Sequence, residues 1–276
     1  ITMSGKSTRP VIIDLGRWRI PLTCFVTLFI VVVIIIPFAS VMATSVTVNM
    51  GKPFTFSNMS LKAWSKIFHR ASILQSMKNS FISAFTAASA GMIISCTMAY
   101  LLERTRVKGR RIPDFLITIG SGTPSVVIAL ALIITMSGKF GINIYNTLSI
   151  MIIAYMIKYM LMGMRPVVSA MGQVHSSLEE AAQISGAGWL RMLKDVSIPL
   201  IGASVVAGFF LIFMPSFYEL TMSNLLYSAK TKTIGYDFYY YQTTHSLQVA
   251  SALATAILFF VIILNFILNK LTKGKI

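Results

Sequence analysis

Long apolar runs with almost no charge dominate this sequence. A helix needs about 20 apolar residues to cross the hydrocarbon core of a bilayer, and six stretches reach that length. They are 20–44, 79–102, 115–138, 140–164, 196–218 and 249–268, and only the fourth contains a charge, Lys158. Barrel strands would alternate in polarity over about ten residues, whereas these runs are continuous. The sequence therefore predicts an all-α membrane protein with six transmembrane helices.

The composition excludes a water-soluble domain. Hydrophobic residues make up 55% of the 276 residues and charged residues 12%, where soluble domains carry about 25% charged residues. The net charge of +16 is also typical of nucleic-acid-binding proteins. Here the basic residues lie mainly between the apolar runs, which favours anchoring at an anionic membrane face, so no nucleic-acid partner is expected. Cys24 and Cys96 lie inside apolar runs and indicate neither a disulfide framework nor a metal site.

The distribution of basic residues predicts the orientation. Six spans place both termini on one side of the membrane. The segments on that side hold fifteen Lys and Arg residues and the opposite segments hold eight, which predicts that both termini are cytoplasmic. The first loop on the opposite side, 45–78, is unusually basic, and its Trp64 and Phe68 have helical spacing. It is consistent with a short interfacial helix or with a loop docked onto another subunit.

The segment 176–199, SSLEEAAQISGAGWLRMLKDVSIP, is long and patterned for a connection between the fourth and fifth spans. Ser177 and Glu180 have the spacing of a capping box that begins a short helix, and Gly186 and Gly188 predict its end, with a positive φ at Gly186. A second amphipathic stretch from Trp189 ends where Pro199 begins the fifth span. An ordinary interfacial hairpin and a docking element for a partner both fit this pattern.

This segment resembles the signature loop of ABC-importer permeases, which reads EAA, three residues, Gly, nine residues, Ile-x-Leu-Pro. The corresponding positions in this sequence are Glu180, Ala181, Ala182, Gly186, Val196, Ile198 and Pro199, with Val in place of Ile and Ile in place of Leu. The resemblance implies a multi-pass protein of the bacterial inner membrane with a coupling loop, here 165–199, that sits in a groove of a cytoplasmic ATP-binding subunit. It also implies an extracytoplasmic substrate-binding protein and a second permease domain, from a homodimer or a fused half, so that the chain itself is a transport subunit and not an enzyme.

A narrower resemblance concerns the substrate. The start of the chain at 5–21 is similar to the connector before the second half of fused ferric-iron-type permeases. Glu219 and Leu220, with the later stretch 225–235, also resemble that branch. This implies an N-terminal connector at 1–19 and a six-span domain at 20–276. That branch carries iron(III), thiamine or phosphonates, and iron(III) is the expected substrate. A chain that begins at Ile1 fits a fragment or one half of a longer permease, and an arbitrary boundary fits equally well.

Other sequence features indicate no cofactor, metal or catalytic site. Gly5-Lys6-Ser7 resembles the end of a P-loop, but no strand precedes it. The three histidines lie in separate loops and do not predict a metal site. Two charges lie at or near membrane depth: Lys158, expected to snorkel or else to pair or line a path, and Glu219, read as an interfacial carboxylate or a pathway residue. The resemblance favours the pathway role for Glu219. The alternative is a self-sufficient channel or secondary carrier. Such a protein would need no docking loop.

Overall fold

The computed structural model describes residues 15–271, which contain eleven helices besides a short 3-10 turn at Phe56–Asn58. They are α1 (Gly16–Val46), α2 (Lys62–His69), α3 (Ala71–Arg104), α4 (Arg111–Gly122), α5 (Ser125–Met136), α6 (Leu148–Gln173), α7 (Ser176–Ile184), α8 (Trp189–Phe217), α9 (Thr221–Leu226), α10 (Ile234–Thr243) and α11 (Leu247–Leu271). Within the described range, extended pairing is limited to two isolated bridges. The chain is an all-α membrane protein. The P-loop-like residues and most of the expected connector lie outside the described residues.

Five of these helices are long and apolar enough to cross a membrane: α1, α3, α6, α8 and α11. The pair α4 and α5 qualifies together as a sixth span, but it is bent by 110°. The prediction of one continuous third helix over 115–138 is therefore wrong. Pro124 has no N–H to donate and disfavours helical geometry at the residue before it, and Thr123 is accordingly extended with ψ 136°.

The fourth span is also shifted from the predicted range 140–164. The helix α6 runs over Leu148–Gln173, and a tight loop precedes it. In that loop Gly138 and Gly141 take positive φ angles of 95° and 84°, and the Gly138 N–H bonds to the Ile142 carbonyl at 3.0 Å. Residues 140–147 of this loop carry no charge, whereas Arg165 lies inside α6, so a search for charge-free runs misplaces the helix.

The fifth span begins earlier than predicted. The second amphipathic stretch is continuous with it, so α8 runs from Trp189 to Phe217. A π-helical turn at Leu193–Ser197 divides it, and the regular α-helix that follows, Ile198–Phe217, has Pro199 near its start, as expected. Such wide turns are rare and occur mostly as single turns within α-helices.

The centre of the bundle is the packing of α3, α6 and α8. A Cβ on Gly163 would lie 2.8 Å from the Gly208 carbonyl oxygen, and one on Gly208 would lie 2.6 Å from the Gly163 oxygen. The two backbones can approach this closely because neither residue has a side chain. On α3, the buried Ala84 and Ala88 belong to the same core. By contrast, the first half of α1, Arg19–Ile30, buries no residue.

The helix connections gather at the two ends of the bundle. The α7 end comprises residues 105–110 and 174–188, and the α10 end comprises 47–70, 137–147 and 218–246. Hydrogen bonds join the segments of the α10 end to one another. The Arg70 guanidinium donates to the Tyr241 hydroxyl at 2.8 Å, and the Ser228 hydroxyl donates to the Asn146 carbonyl at 3.3 Å. The predicted helix around Trp64 is present as α2, and the Trp64 indole donates to Ser45 Oγ at 3.1 Å.

Candidate docking loop and charges within the spans

The loop at the α7 end begins with a side-chain cap that differs from the predicted one. The helix α7 starts at Ser176, and His175 Nδ1 accepts the Ser177 backbone N–H at 3.3 Å. Ser177 therefore lies inside the first turn, and its hydroxyl is bonded to His175 at 2.8 Å. The capping box of Ser177 and Glu180 is wrong, because His175 has the extended backbone, with φ −70° and ψ 132°, that a capping residue needs.

The end of α7 is a Schellman motif centred on Gly186. The Ala187 N–H bonds to the Ala182 carbonyl at 3.0 Å, and the Gly186 N–H bonds to the Gln183 carbonyl at 2.9 Å. These are the two bonds that close a helix when the next residue is left-handed. Gly186 has φ +85°, as predicted, and Gly188 then begins α8 with φ −66°.

An ion pair fixes α7 to the bundle. Arg104, the last residue of α3, places Nε 2.9 Å from Glu179 Oε2, and both side chains are about nine-tenths buried. The other carboxylate oxygen of Glu179 accepts the Ser197 hydroxyl at 2.9 Å. Arg104 Nη2 also donates to the carbonyls of Met171 and Val174, at 3.0 and 2.7 Å, and so caps the end of α6. The loop is therefore held to α3, α6 and α8 at once.

The opposite face of the loop is turned outward. Glu180 and Ala181 are exposed and Ala182 is half-buried. Two large apolar side chains project beside them: Ile184 is 88% exposed and Leu190 is 74% exposed. A rigidly held acidic and apolar surface of this kind is suited to contact with another molecule. Pro199, the last residue of the signature, is also exposed, on α8.

The Glu219 carboxylate caps α9. It is 5% exposed; one oxygen accepts the N–H groups of Thr221 and Met222, each at 3.0 Å, and the other accepts that of Ser223 at 2.8 Å. Both oxygens therefore serve the first turn of a helix, where an acidic group is stabilised by the unpaired backbone N–H groups. Gly235 packs directly against the Glu219 carbonyl, since a Cβ there would clash with it. The pathway role of Glu219 stays a prediction.

Lys158 forms hydrogen bonds with the backbone at the break in the third span. Its ammonium donates to the carbonyls of Ser121 and Thr123, at 3.0 and 2.8 Å, and the Ser121 hydroxyl donates back to the Lys158 carbonyl at 2.9 Å. These carbonyls are left without helical partners where α4 ends, and an unpaired carbonyl in the membrane costs several kcal/mol. Of the sequence readings for Lys158, the structure supports pairing rather than snorkelling.

The family model for the inner membrane component of binding-protein-dependent transport systems matches residues 91–273. The chain belongs to this family. The match covers α7, its Schellman glycine and all of the spans from the end of α3 to α11, so the docking loop lies within the family's shared region.

Named relatives are distant and differ in substrate. The chain is 26% identical over 203 residues to the Fe(3+)-transport system permease protein FbpB 2 of Haemophilus influenzae, covering 71% of this chain and 39% of that protein. It is 24% identical over 148 residues to the putative ABC transporter permease protein ORF1 of Streptomyces antibioticus, covering 54% and 63%. It is 25% identical over 232 residues to the sulfate transport system permease protein CysT of Salmonella typhimurium, covering 78% and 82%. The chain thus spans less than two thirds of the length of the first two.

Solved structures share the fold. A bacterial ABC transporter involved in the import of the acidic polysaccharide alginate contains a chain with TM-score 0.72 at 17% identity, covering 94% of this chain and 99% of that chain. A chain of the MetNI methionine ABC transporter, in inward-facing conformations, gives a TM-score of 0.61 at 14% identity, covering 78% and 99%.

Sequence reasoning missed the Arg104–Glu179 pair and the role of Lys158. Two adjacent acids on one helix lie about 100° apart around its axis, so Glu179 and Glu180 can have different surroundings, which was a usable signal. A lone lysine in one span together with a Thr-Pro pair in the preceding span was another. Between residues 15 and 271, His, Cys, Asp and Glu form no group of three that would hold a metal ion.

Proposed function

We propose that this chain is the membrane-spanning permease subunit of a bacterial ABC importer, coupled through the α7 loop to a separate cytoplasmic ATPase. The observation that carries the proposal is the two-faced loop: Glu179 anchors it to the bundle, while Glu180 and Ile184 are presented outward. It lies inside the region matched by the family of inner-membrane transport components. Glu180, Ala181, Ala182, Gly186 and Pro199 would form the coupling element.

The topology follows from the charge distribution. Since fifteen basic residues face eight, the α7 end and both termini are assigned to the cytoplasm and the α10 end to the outside. Closure of two ATPase subunits on ATP would push on α7. Because Arg104 and Ser197 bond to Glu179, this push would reach α3, α6 and α8 directly.

The remaining partners follow from the family's description, which names a binding protein. An extracytoplasmic substrate-binding protein would deliver substrate to the α10 end. A second permease domain, from a homodimer or a fused half, would complete the pathway. Several relatives matched over 34–39% of their own length are named as ferric permeases, which is compatible with a chain that corresponds to one half of such a protein.

Iron(III) is the proposed substrate. Three relatives named for ferric transport are 24–26% identical to 71–87% of the chain. Permeases named for sulfate and for trehalose and maltose are 25% and 26% identical to this chain. Sulfate, these sugars, thiamine and phosphonate are therefore the alternative substrates.

Uptake into proteoliposomes tests the proposal. The chain would be reconstituted with its second permease domain, its ATPase and its binding protein. The binding protein would be loaded in turn with iron(III), sulfate, maltose, thiamine or a phosphonate. Accumulation of one substrate that requires ATP supports the proposal. Uptake that continues without ATP or ATPase would identify a channel or secondary carrier instead.

A further inference from the structure

The α10 end carries an unbalanced positive surface. Its basic residues are Lys52, Lys62, Lys66, Arg70, Lys139, Lys230 and Lys232, and Lys78 lies nearby at the adjoining end of α3. All are exposed except Lys232, which is half-buried. Among the described residues, the acids at this end are Glu219 and Asp237, both buried. Glu219 is bonded to backbone N–H groups. Burial is the main cause that raises the pKa of the Asp237 carboxyl above its ordinary value, and neither acid is exposed to balance the basic side chains.

The basic side chains lie among aromatic rings and beside a concave site. Lys66 Nζ is 5.0 Å from the centre of the Tyr241 ring, and Lys232 Nζ is 5.3 Å from that of Tyr236. A cavity of about 260 Å³ is lined by Lys62, Lys66 and neighbours that include Thr47, Ser60 and Gln248. Exposed tyrosines flank this region on α10. Tyrosine and flexible cations around a concavity are typical of protein-binding surfaces.

This charge is on the side where membrane proteins usually avoid it. Basic loop residues favour the cytoplasmic side during insertion, and anionic lipids attract basic segments mainly at the cytoplasmic leaflet. Under the topology proposed above, the α10 end is outside. Anchoring to lipid therefore does not account for this surface, whereas an acidic protein surface would complement it.

We propose that the basic surface around Lys62 and Lys66 on α2 is the docking site for an acidic face of the extracytoplasmic binding protein. This inference rests on the proposed function, because that function supplies both the partner and the outward orientation of the α10 end. The exposed lysines would steer association, and an acidic side chain of the partner would enter the cavity between α2 and Gln248.

The test measures binding of the binding protein encoded beside the gene for this chain to the permease–ATPase complex in phosphatidylcholine nanodiscs. The Kd of the wild type should rise about tenfold or more between about 50 and 500 mM NaCl. Lys62→Glu with Lys66→Glu should weaken binding about tenfold or more at low salt, whereas Lys62→Arg with Lys66→Arg should bind like the wild type. The control, Arg106→Glu with Lys108→Glu, makes the same charge change at the α7 end and should stay within about twofold.

Wild-type binding by the charge-reversed variant, or a Kd independent of salt, would overturn the inference. So would a variant that loses only its binding to phosphatidylglycerol vesicles, since the surface would then bind lipid. Retention of the ATPase is scored in the same samples. Loss of the ATPase from the wild-type complex contradicts the proposed function, while retained ATPase with unaltered docking of the variant contradicts this inference alone.

Discussion

Arg104 at the end of α3 and Glu179 in the first turn of α7 form a buried ion pair, with 2.9 Å between Nε and Oε2. Because Glu179 also accepts the Ser197 hydroxyl, one carboxylate connects the loop to two spans. The neighbouring Glu180 is exposed. Two adjacent glutamates thus have separate roles, one holding the loop in place and the other available to a partner.

The first prediction separates these roles with a matched pair of variants. Glu179→Gln should destabilise the loop, because removing one partner of a buried ion pair costs about 3–5 kcal/mol, and hydrogen exchange at 176–188 should accelerate. Glu180→Gln should leave exchange unchanged but weaken binding of the ATPase. Equal exchange in the two variants would show that the Arg104 pair does not hold the loop.

The two loop glycines provide a second comparison. Gly186→Ala places a side chain at φ +85°, which costs about 1–2 kcal/mol, and should loosen the end of α7. Gly188→Ala has φ −66° and open space around the added Cβ, so it introduces no backbone strain and loses only the preference for glycine over alanine at a helix N-cap. Its destabilisation should therefore be the smaller of the two. The midpoint of thermal unfolding in detergent and the rate of hydrogen exchange at the Ala187 amide measure the stability of both variants. Equal behaviour of the two variants would contradict the Schellman assignment.

Glu219→Gln tests the cap of α9 against a pathway role. A neutral amide offers one acceptor oxygen to three backbone N–H groups, so a structural cap predicts a loss of about 1–3 kcal/mol of stability. Transport per folded molecule should then be nearly normal. A pathway residue predicts the reverse: unchanged thermal unfolding and poor transport. The unfolding midpoint and the uptake rate together decide between the two roles.

Lys158→Met should destabilise the break in the third span, since the carbonyls of Ser121 and Thr123 lose their ammonium donor. Each buried acceptor left unpaired costs about 1–3 kcal/mol. Gln, which retains an N–H donor at a similar reach, should recover part of the loss. The unfolding midpoint is the measurement, and a Met variant as stable as the wild type would show that the ammonium is dispensable.

The apolar runs were sufficient to predict the helical class and up to six spans, because crossing a bilayer requires length and hydropathy that a sequence displays directly. The signature loop was recognised from its motif and not from hydropathy. Charge-free runs could not place the boundaries of α6, since residues 140–147 before the helix carry no charge while Arg165 lies inside it. Nor could they predict the 110° bend at Thr123, where Lys158, 35 residues further along the chain, donates to the free carbonyl. Contacts of this kind arise only from tertiary packing.

Site-specific photo-cross-linking tests the central claim most directly. A photoreactive residue would replace Ile184, 88% exposed on the α7 loop, and in a second variant Phe56, 93% exposed at the α10 end. In the assembled transporter, we expect the variant at position 184 to cross-link to the ATPase and the variant at position 56 to give no ATPase adduct. No adduct from position 184 in a complex that retains its ATPase, or equal adducts from both positions, would contradict the assignment of this loop as the coupling element.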